Sequence, residues 1–199
     1  TLDFGVSHFS GTARAPRFVL GPTGIVPFPP TPASRLIPFY DQIDQSGLDA
    51  TYVAGGWLLK LEAIHQYNRL DPYAAAAGGF EYTVTGLIGS ADVGLLAEYL
   101  WDERGRTAPT PFNNDVFAGT RIAFNDVASS EILAGVITDA DTQAMLVNVE
   151  ASRRFGSDWK AVLETRLFAN PDPADPSFVF RQDDYVSLEI IRYFGVKNP

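Results

Sequence analysis

Cysteine is absent from the 199 residues, which excludes a disulfide framework, a thiolate zinc site, an iron–sulfur cluster and a thiol nucleophile. Imidazole is scarce, since His8 and His65 are the whole supply. Basic charge is short too: 15 Lys and Arg stand against 24 Asp and Glu, a formal charge of −9. Phosphate binding needs a basic stripe, and these bases are dispersed, so nucleic acid is not an expected partner. Long hydrophobic runs are missing. The best, Tyr82 to Trp101, is broken by Asp92, Glu98 and several glycines, and a membrane-spanning helix needs about 18–20 apolar residues in succession. The opening Thr-Leu-Asp-Phe-Gly has no basic n-region, no apolar h-region and no initiator methionine. The expectation is a mature chain or a fragment, with any signal peptide already removed.

Fourteen prolines are present, and they cluster. Seven fall between Pro16 and Pro38, and the rest are Pro72, Pro109, Pro111, Pro171, Pro173, Pro176 and Pro199. Proline cannot donate to a strand ladder, so the long stretches between the clusters are free to be strands. Those stretches alternate with period two. Trp57 to Tyr67 sets apolar or aromatic odd positions against Lys60, Glu62 and Gln66. Phe80 to Ile88, Val93 to Trp101, Val116 to Phe124, Met145 to Arg154, Trp159 to Leu167 and Val186 to Phe194 repeat the pattern. With Leu2 to Phe9, Leu48 to Ala54 and Ile132 to Thr138 the reading is ten strands, most near the ~9–11 residues of a tilted membrane-spanning strand.

The connections alternate in length as well. Short turns at Gly55-Gly56, Gly89-Ser90-Ala91, Asn125-Asp126 and Gly156-Ser157 interleave with longer polar or proline-rich loops, and Asp139 to Gln143 is unusually tight for the long set. This rhythm belongs to an up-and-down transmembrane barrel. The expected fold is therefore all-β: an antiparallel barrel forming one domain over residues 1–199, with 11–42 as a long proline-rich loop. Gly78-Gly79 reads as a turn. A soluble α+β domain is the competing fold, because Ser157 to Ala169 and Val93 to Arg104 also suit amphipathic helices.

Periodicity alone does not say which face meets water. Trp57, Trp101 and Trp159 sit near strand ends, with Phe80, Tyr82, Tyr99, Phe124, Phe155 and Phe194 on the apolar face, as interfacial girdles require. Asp184-Tyr-Val-Ser-Leu-Glu-Ile-Ile-Arg-Tyr-Phe194 resembles the C-terminal strand by which Gram-negative outer-membrane proteins are recognised for assembly. Arg192 breaks its alternation and Gly195 to Pro199 follow the phenylalanine. Across the chain, Asn114 to Val127 and Glu150-Ala-Ser-Arg-Arg-Phe155 resemble a family of uncharacterised porin-like proteins of proteobacteria. That resemblance implies outer-membrane localisation, Tyr193 and Phe194 as an assembly signal, and a longer parent with further strands upstream. It brings no catalytic residues.

On this register one face gathers Asp3, Asp49, Lys60, Glu62, Glu81, Glu98, Asp102, Asp115, Arg121, Glu131, Glu150, Arg154, Lys160, Glu164, Arg166 and Glu189. Acids outnumber bases, so a pathway along this face prefers cations, with Arg121, Arg154 and Arg166 neutralising part of the field by pairing. The expected function is passive passage of small solutes or ions. The alternatives are a structural or adhesive barrel with a blocked lumen, and a soluble ligand-binding barrel. His8 and His65 fall on the apolar face by parity, which argues against an enzyme. Asp139/Asp141 and Asp172/Asp175 read as solvated turn acids rather than a calcium loop. No cofactor or metal is expected. The implied partners are outer-membrane lipid, lipopolysaccharide and the barrel-assembly machinery, with a homo-oligomer or larger membrane complex left open.

Overall fold

The structure, a computed structural model, describes residues 1–20, 36–68 and 71–194. The strands in chain order are β1 (Leu2–Thr12), β2 (Arg17–Leu20), β3 (Leu36–Phe39), β4 (Gln42–Ala54), β5 (Trp57–Tyr67), β6 (Tyr73–Ile88), β7 (Ala91–Asp102), β8 (Asn114–Ala123), β9 (Glu131–Asp139), β10 (Met145–Phe155), β11 (Trp159–Ala169) and β12 (Tyr185–Arg192). Two 3-10 turns, Gly105–Thr107 and Pro176–Phe180, are the only helical pieces among the described residues. Ten strands form one antiparallel sheet in the order β1-β4-β5-β6-β7-β8-β9-β10-β11-β12. β2 and β3 pair separately as a hairpin within the long connection.

Both helical alternatives are strands, β11 and β7. The strands also exceed the expected bounds: β6 runs 16 residues and β4 13. Gly78 and Gly79 are not a turn. They lie inside β6, paired with Leu61 and Lys60 on one side and Tyr99 and Glu98 on the other. The reason is steric, because a Cβ on Gly79 would stand 2.3 Å from the Ala97 carbonyl. Glycine here admits a close approach of neighbouring backbone. The loop expected over 11–42 is shorter, since β1 continues through Thr12 and β4 opens at Gln42. Its apolar Ile25, Val26 and Phe28 fall outside the described residues. In the hairpin, Val19 is buried while Phe18 and Leu36 are exposed.

Connections 55–56, 89–90, 124–130 and 156–158 lie at one end of the sheet; all but 124–130, which extends past the turn expected at Asn125-Asp126, are two or three residues long. The tight turns place Gly55 at φ 57°, Gly156 at 63° and Asn125 at 54°, the left-handed region that glycine and asparagine enter most easily. Residues 13–16, 40–41, 68, 71–72, 103–113, 140–144 and 170–184 lie at the other end. β1 and β12 do not pair with each other. The expected strands are present, but the sheet is open at both edges rather than closed.

The sheet is a single layer with almost no core. Among the described residues the buried apolar side chains are Val19, Ile43, Ala91 and Ala144, and no large side chain is fully buried. A soluble chain of this length buries about 70% of the surface it would expose when unfolded, around a shared apolar interior. Here the large apolar side chains of the sheet stand outward instead, with Leu95 53% and Leu188 67% exposed.

Candidate functional site

The pairing registers sort the two faces without ambiguity, because side chains directly opposite in a ladder share a face. One face carries Leu59, Leu61, Val93, Leu95, Val116, Val136, Val147, Val149, Leu163, Leu188 and Ile190. Aromatic residues bracket it. At the short-turn end stand Tyr52, Trp57, Tyr82, Phe155 and Trp159, with Trp57 4.5 Å from Tyr82 and 5.4 Å from Phe80. Tyr67, Tyr99 and Trp101 stand at the long-loop end, where the Tyr99 hydroxyl donates to Asn114 Oδ1 at 2.7 Å. Arg192, which interrupts the alternation of β12, lies at the short-turn end with its guanidinium over Trp159 and Phe194. Phe194 itself is exposed, and Tyr193 lies under the Arg154 guanidinium at 5.2 Å.

Every charged residue expected on the polar face is there. Row by row across the sheet, Lys60 stands beside Gly79 and then Glu98; Glu81 beside Leu96; Arg154 beside Lys160; Val162 beside Glu189. Glu150 opposes Glu164, and Arg166 opposes Asn148. The expected pairing holds for two arginines. Arg121 reaches Glu81 at 3.4 Å and Arg166 reaches Glu164 at 3.2 Å, where the Tyr185 hydroxyl also donates. Arg154 differs: it opposes Lys160 in the register and lies over an aromatic ring, with no acid bridged to it among the described residues. Lys60, Glu62, Glu98, Glu150, Lys160 and Glu189 likewise form no ion pair among the described residues. Glu150 accepts from Asn148 Nδ2 at 2.9 Å, and Ser152 donates to Glu131 at 2.9 Å.

Small residues on this face make room for those side chains. Asp49 lies over Gly5, Ser7 over Gly47, Glu81 over Gly94, and the Phe117 ring over Gly119 and Gly135. Mid-sheet, a hollow of about 220 Å³ lies beside Gly79, lined by Leu58, Lys60, Glu62, Leu96, Glu98 and Phe117 among others. The sequence pattern missed it, because Gly79 read as a turn; the odd-numbered positions Gly79, Glu81 and Thr83 share the polar parity and carried the signal.

At the long-loop end two of the four turn acids expected to be solvated are buried, while Asp141 is exposed and Asp172 half-buried. Asp139 and Asp175 are 4% and 5% exposed. Asp139 Oδ1 accepts from the Asp141 and Thr142 backbone N–H groups at 2.8 and 2.6 Å. Asp175 caps the 3-10 turn through Ser177 N at 2.6 Å, and the Thr142 hydroxyl stands 2.9 Å from Asp139 and 2.7 Å from Asp175. These carboxylates are occupied as turn caps joining two loops. In the 103–113 connection, the bidentate contact with Asp102 raises the Arg104 guanidinium pKa further above its usual value, and Arg104 lies 3.4 Å over the Tyr73 ring. At the short-turn end, Asp126 is held below the ordinary carboxylate range by the Ser130 backbone N–H and hydroxyl, with Arg153 3.1 Å away.

His8 and His65 flank Ser46 in one row of the apolar face, with His8 Nδ1 3.1 Å from Ser46 Oγ. No carboxylate orients the His8 ring among the described residues, and the row is exposed. It lacks the third member and the enclosure of a nucleophilic site. Among the described residues no cluster of His, Asp or Glu is arranged to hold a metal. Comparison of the chain with known protein families, with curated proteins and with solved structures finds no match.

Proposed function

We propose that this chain is an outer-membrane, porin-like β-barrel protein of a Gram-negative bacterium that passes small solutes or ions and prefers cations. One observation carries the reading: a ten-stranded single-layer sheet presents a continuous apolar face, bracketed by aromatic residues, that no part of the described protein covers. In water, exposing that face forfeits about 25 cal/mol per Å² of apolar surface. Lipid removes the cost. An 11-residue strand such as β10, rising ~3.3 Å per residue and tilted about 40°, spans about 25 Å, the height of a transmembrane barrel's apolar band. A soluble ligand-binding barrel would turn this face inward against a second layer, and the described protein has none.

An unpaired backbone N–H or C=O in hydrocarbon costs several kcal/mol, so in the membrane β1 and β12 are paired, with each other or with further strands.

Function is tested in planar bilayers. The reconstituted protein should give discrete conductance steps, and reversal potentials in a salt gradient should show cation preference from unpaired Glu62, Glu98 and Glu150. That preference should decline toward ~1 M salt, where the Debye length is about 3 Å. An anion-selective pore contradicts the charge assignment. Inserted protein without conductance assigns the blocked, structural barrel instead.

A further inference from the structure

The hollow over Gly79 lies mid-strand on the polar face, where β5, β6, β7 and β8 meet. Gly79 has no side chain to fill its row, so Lys60 and Glu98 stand on either side of bare backbone. Strand spacing sets their backbones about 10 Å apart. Glu62 projects on the same face two residues along β5 from Lys60. The neighbouring Glu81 is engaged, since it lies over Gly94 and reaches Arg121. Lys60, Glu62 and Glu98 have no such partner among the described residues. Leu58 and Leu96 add apolar wall to the same hollow of about 220 Å³.

A ligand matching these groups carries a carboxylate for Lys60, an ammonium for Glu98 and Glu62, and a short apolar body for the leucines. We propose that the hollow over Gly79 is a binding subsite for small zwitterionic amino acids with apolar side chains. The inference rests on the porin-like reading only for the subsite's place along a solute path; binding itself follows from the hollow. Mixed charge separates this site from the general acidity of the face. A site for cations alone has no use for Lys60, and Lys60 offers a point charge with three donors to a carboxylate.

The test is equilibrium dialysis of radiolabelled L-leucine against the full chain refolded in detergent, competed by L-leucinamide, which lacks the carboxylate, and by 4-methylpentanoate, which lacks the amine. Leucine should bind saturably, and each analogue should compete at least about tenfold more weakly, because each loses a charge-assisted contact. Lys60→Met should erase the preference for leucine over leucinamide, and Glu98→Gln should reduce the preference over 4-methylpentanoate. Lys60→Gln provides the same comparison should the methionine variant fail to refold, and Glu189→Gln, on the same face outside the hollow, should bind leucine like the unaltered chain. Leucinamide competing as well as leucine, or a folded chain that binds no leucine saturably, overturns the proposal. Saturable binding in a protein that gives no conductance keeps the subsite and removes the porin-like reading; conductance without leucine binding does the reverse.

Discussion

Phe117 shows what single residues do in a sheet without a core. It is an apolar side chain at a polar-face position, and its ring lies over Gly119 and Gly135. The rings and glycines form one packed unit, the aromatic covering backbone that glycine leaves bare. A Cβ on Gly135 would stand 2.3 Å from Phe117 Cε2. Gly135→Ala should therefore destabilise the folded protein by about 1–3 kcal/mol, as overpacking does. In a double-mutant cycle by urea unfolding in detergent, most of that cost should vanish on a Phe117→Ala background; full additivity would contradict the contact. The sequence could not show this unit. Alternation along one strand gives parity, whereas the glycines under Phe117 depend on which residues of β8 and β9 stand opposite, and no single strand carries that register. The Asp126 carboxyl pKa is depressed by the Ser130 N–H and hydroxyl, then by Arg153. A carboxyl lowered on folding stabilises the fold above its unfolded value and loses that contribution as pH falls through the folded value. The stability difference between the unaltered chain and Asp126→Asn should hold constant from neutrality to near 3.8 and disappear at more acid pH. A difference that fades already between pH 7 and 5 would assign it to another group.

Among the elements, type and number were legible while bounds were not. Proline expulsion and period two yielded all ten strands, including β7 and β11, whose sequences also fit helices; tertiary pairing on both sides decides such cases. The ends were missed where the signal changes character. β6 begins in Tyr73-Ala-Ala-Ala-Ala-Gly-Gly, which has little alternation, and its small residues are strand because neighbouring backbones come close there. The long connection hid a hairpin for a similar reason: β2 and β3 have four residues each, too few for periodicity to register. Val149 and Glu150 are adjacent in β10 and point to opposite faces. Val149→Arg should lower the stability of membrane-inserted protein by about 2–4 kcal/mol near the midplane, and Glu150→Arg should stay within about 0.5 kcal/mol. Leu163→Arg on β11 should match Val149→Arg. Equal effects at 149 and 150, measured by urea unfolding in vesicles, would remove the facing assignment.

The whole molecule inverts the usual arrangement of a folded domain. Large apolar side chains stand exposed on one face of the sheet, most of the strand charges share the other, and the buried acids Asp139 and Asp175 serve loops at one end. The charged face was readable from the sequence residue by residue, because a strand's parity is fixed once its phase is known. Closure was not readable, since it depends on what β1 and β12 meet, and the sheet leaves both edges free. Parity puts Gly79 on the polar face, but the hollow beside it depends on how four strands are registered, which no single strand carries. All of this stands on the claim that the apolar face meets lipid and the polar face meets water. Nitroxide labels placed one at a time along β10 (Met145–Phe155) in protein reconstituted into vesicles test it directly by accessibility to oxygen and to a water-soluble nickel chelate. The account predicts strict alternation, with positions 147, 149 and 151 favouring oxygen and positions 148, 150 and 152 favouring the chelate. Uniform access to the chelate, or the opposite phase, would contradict it.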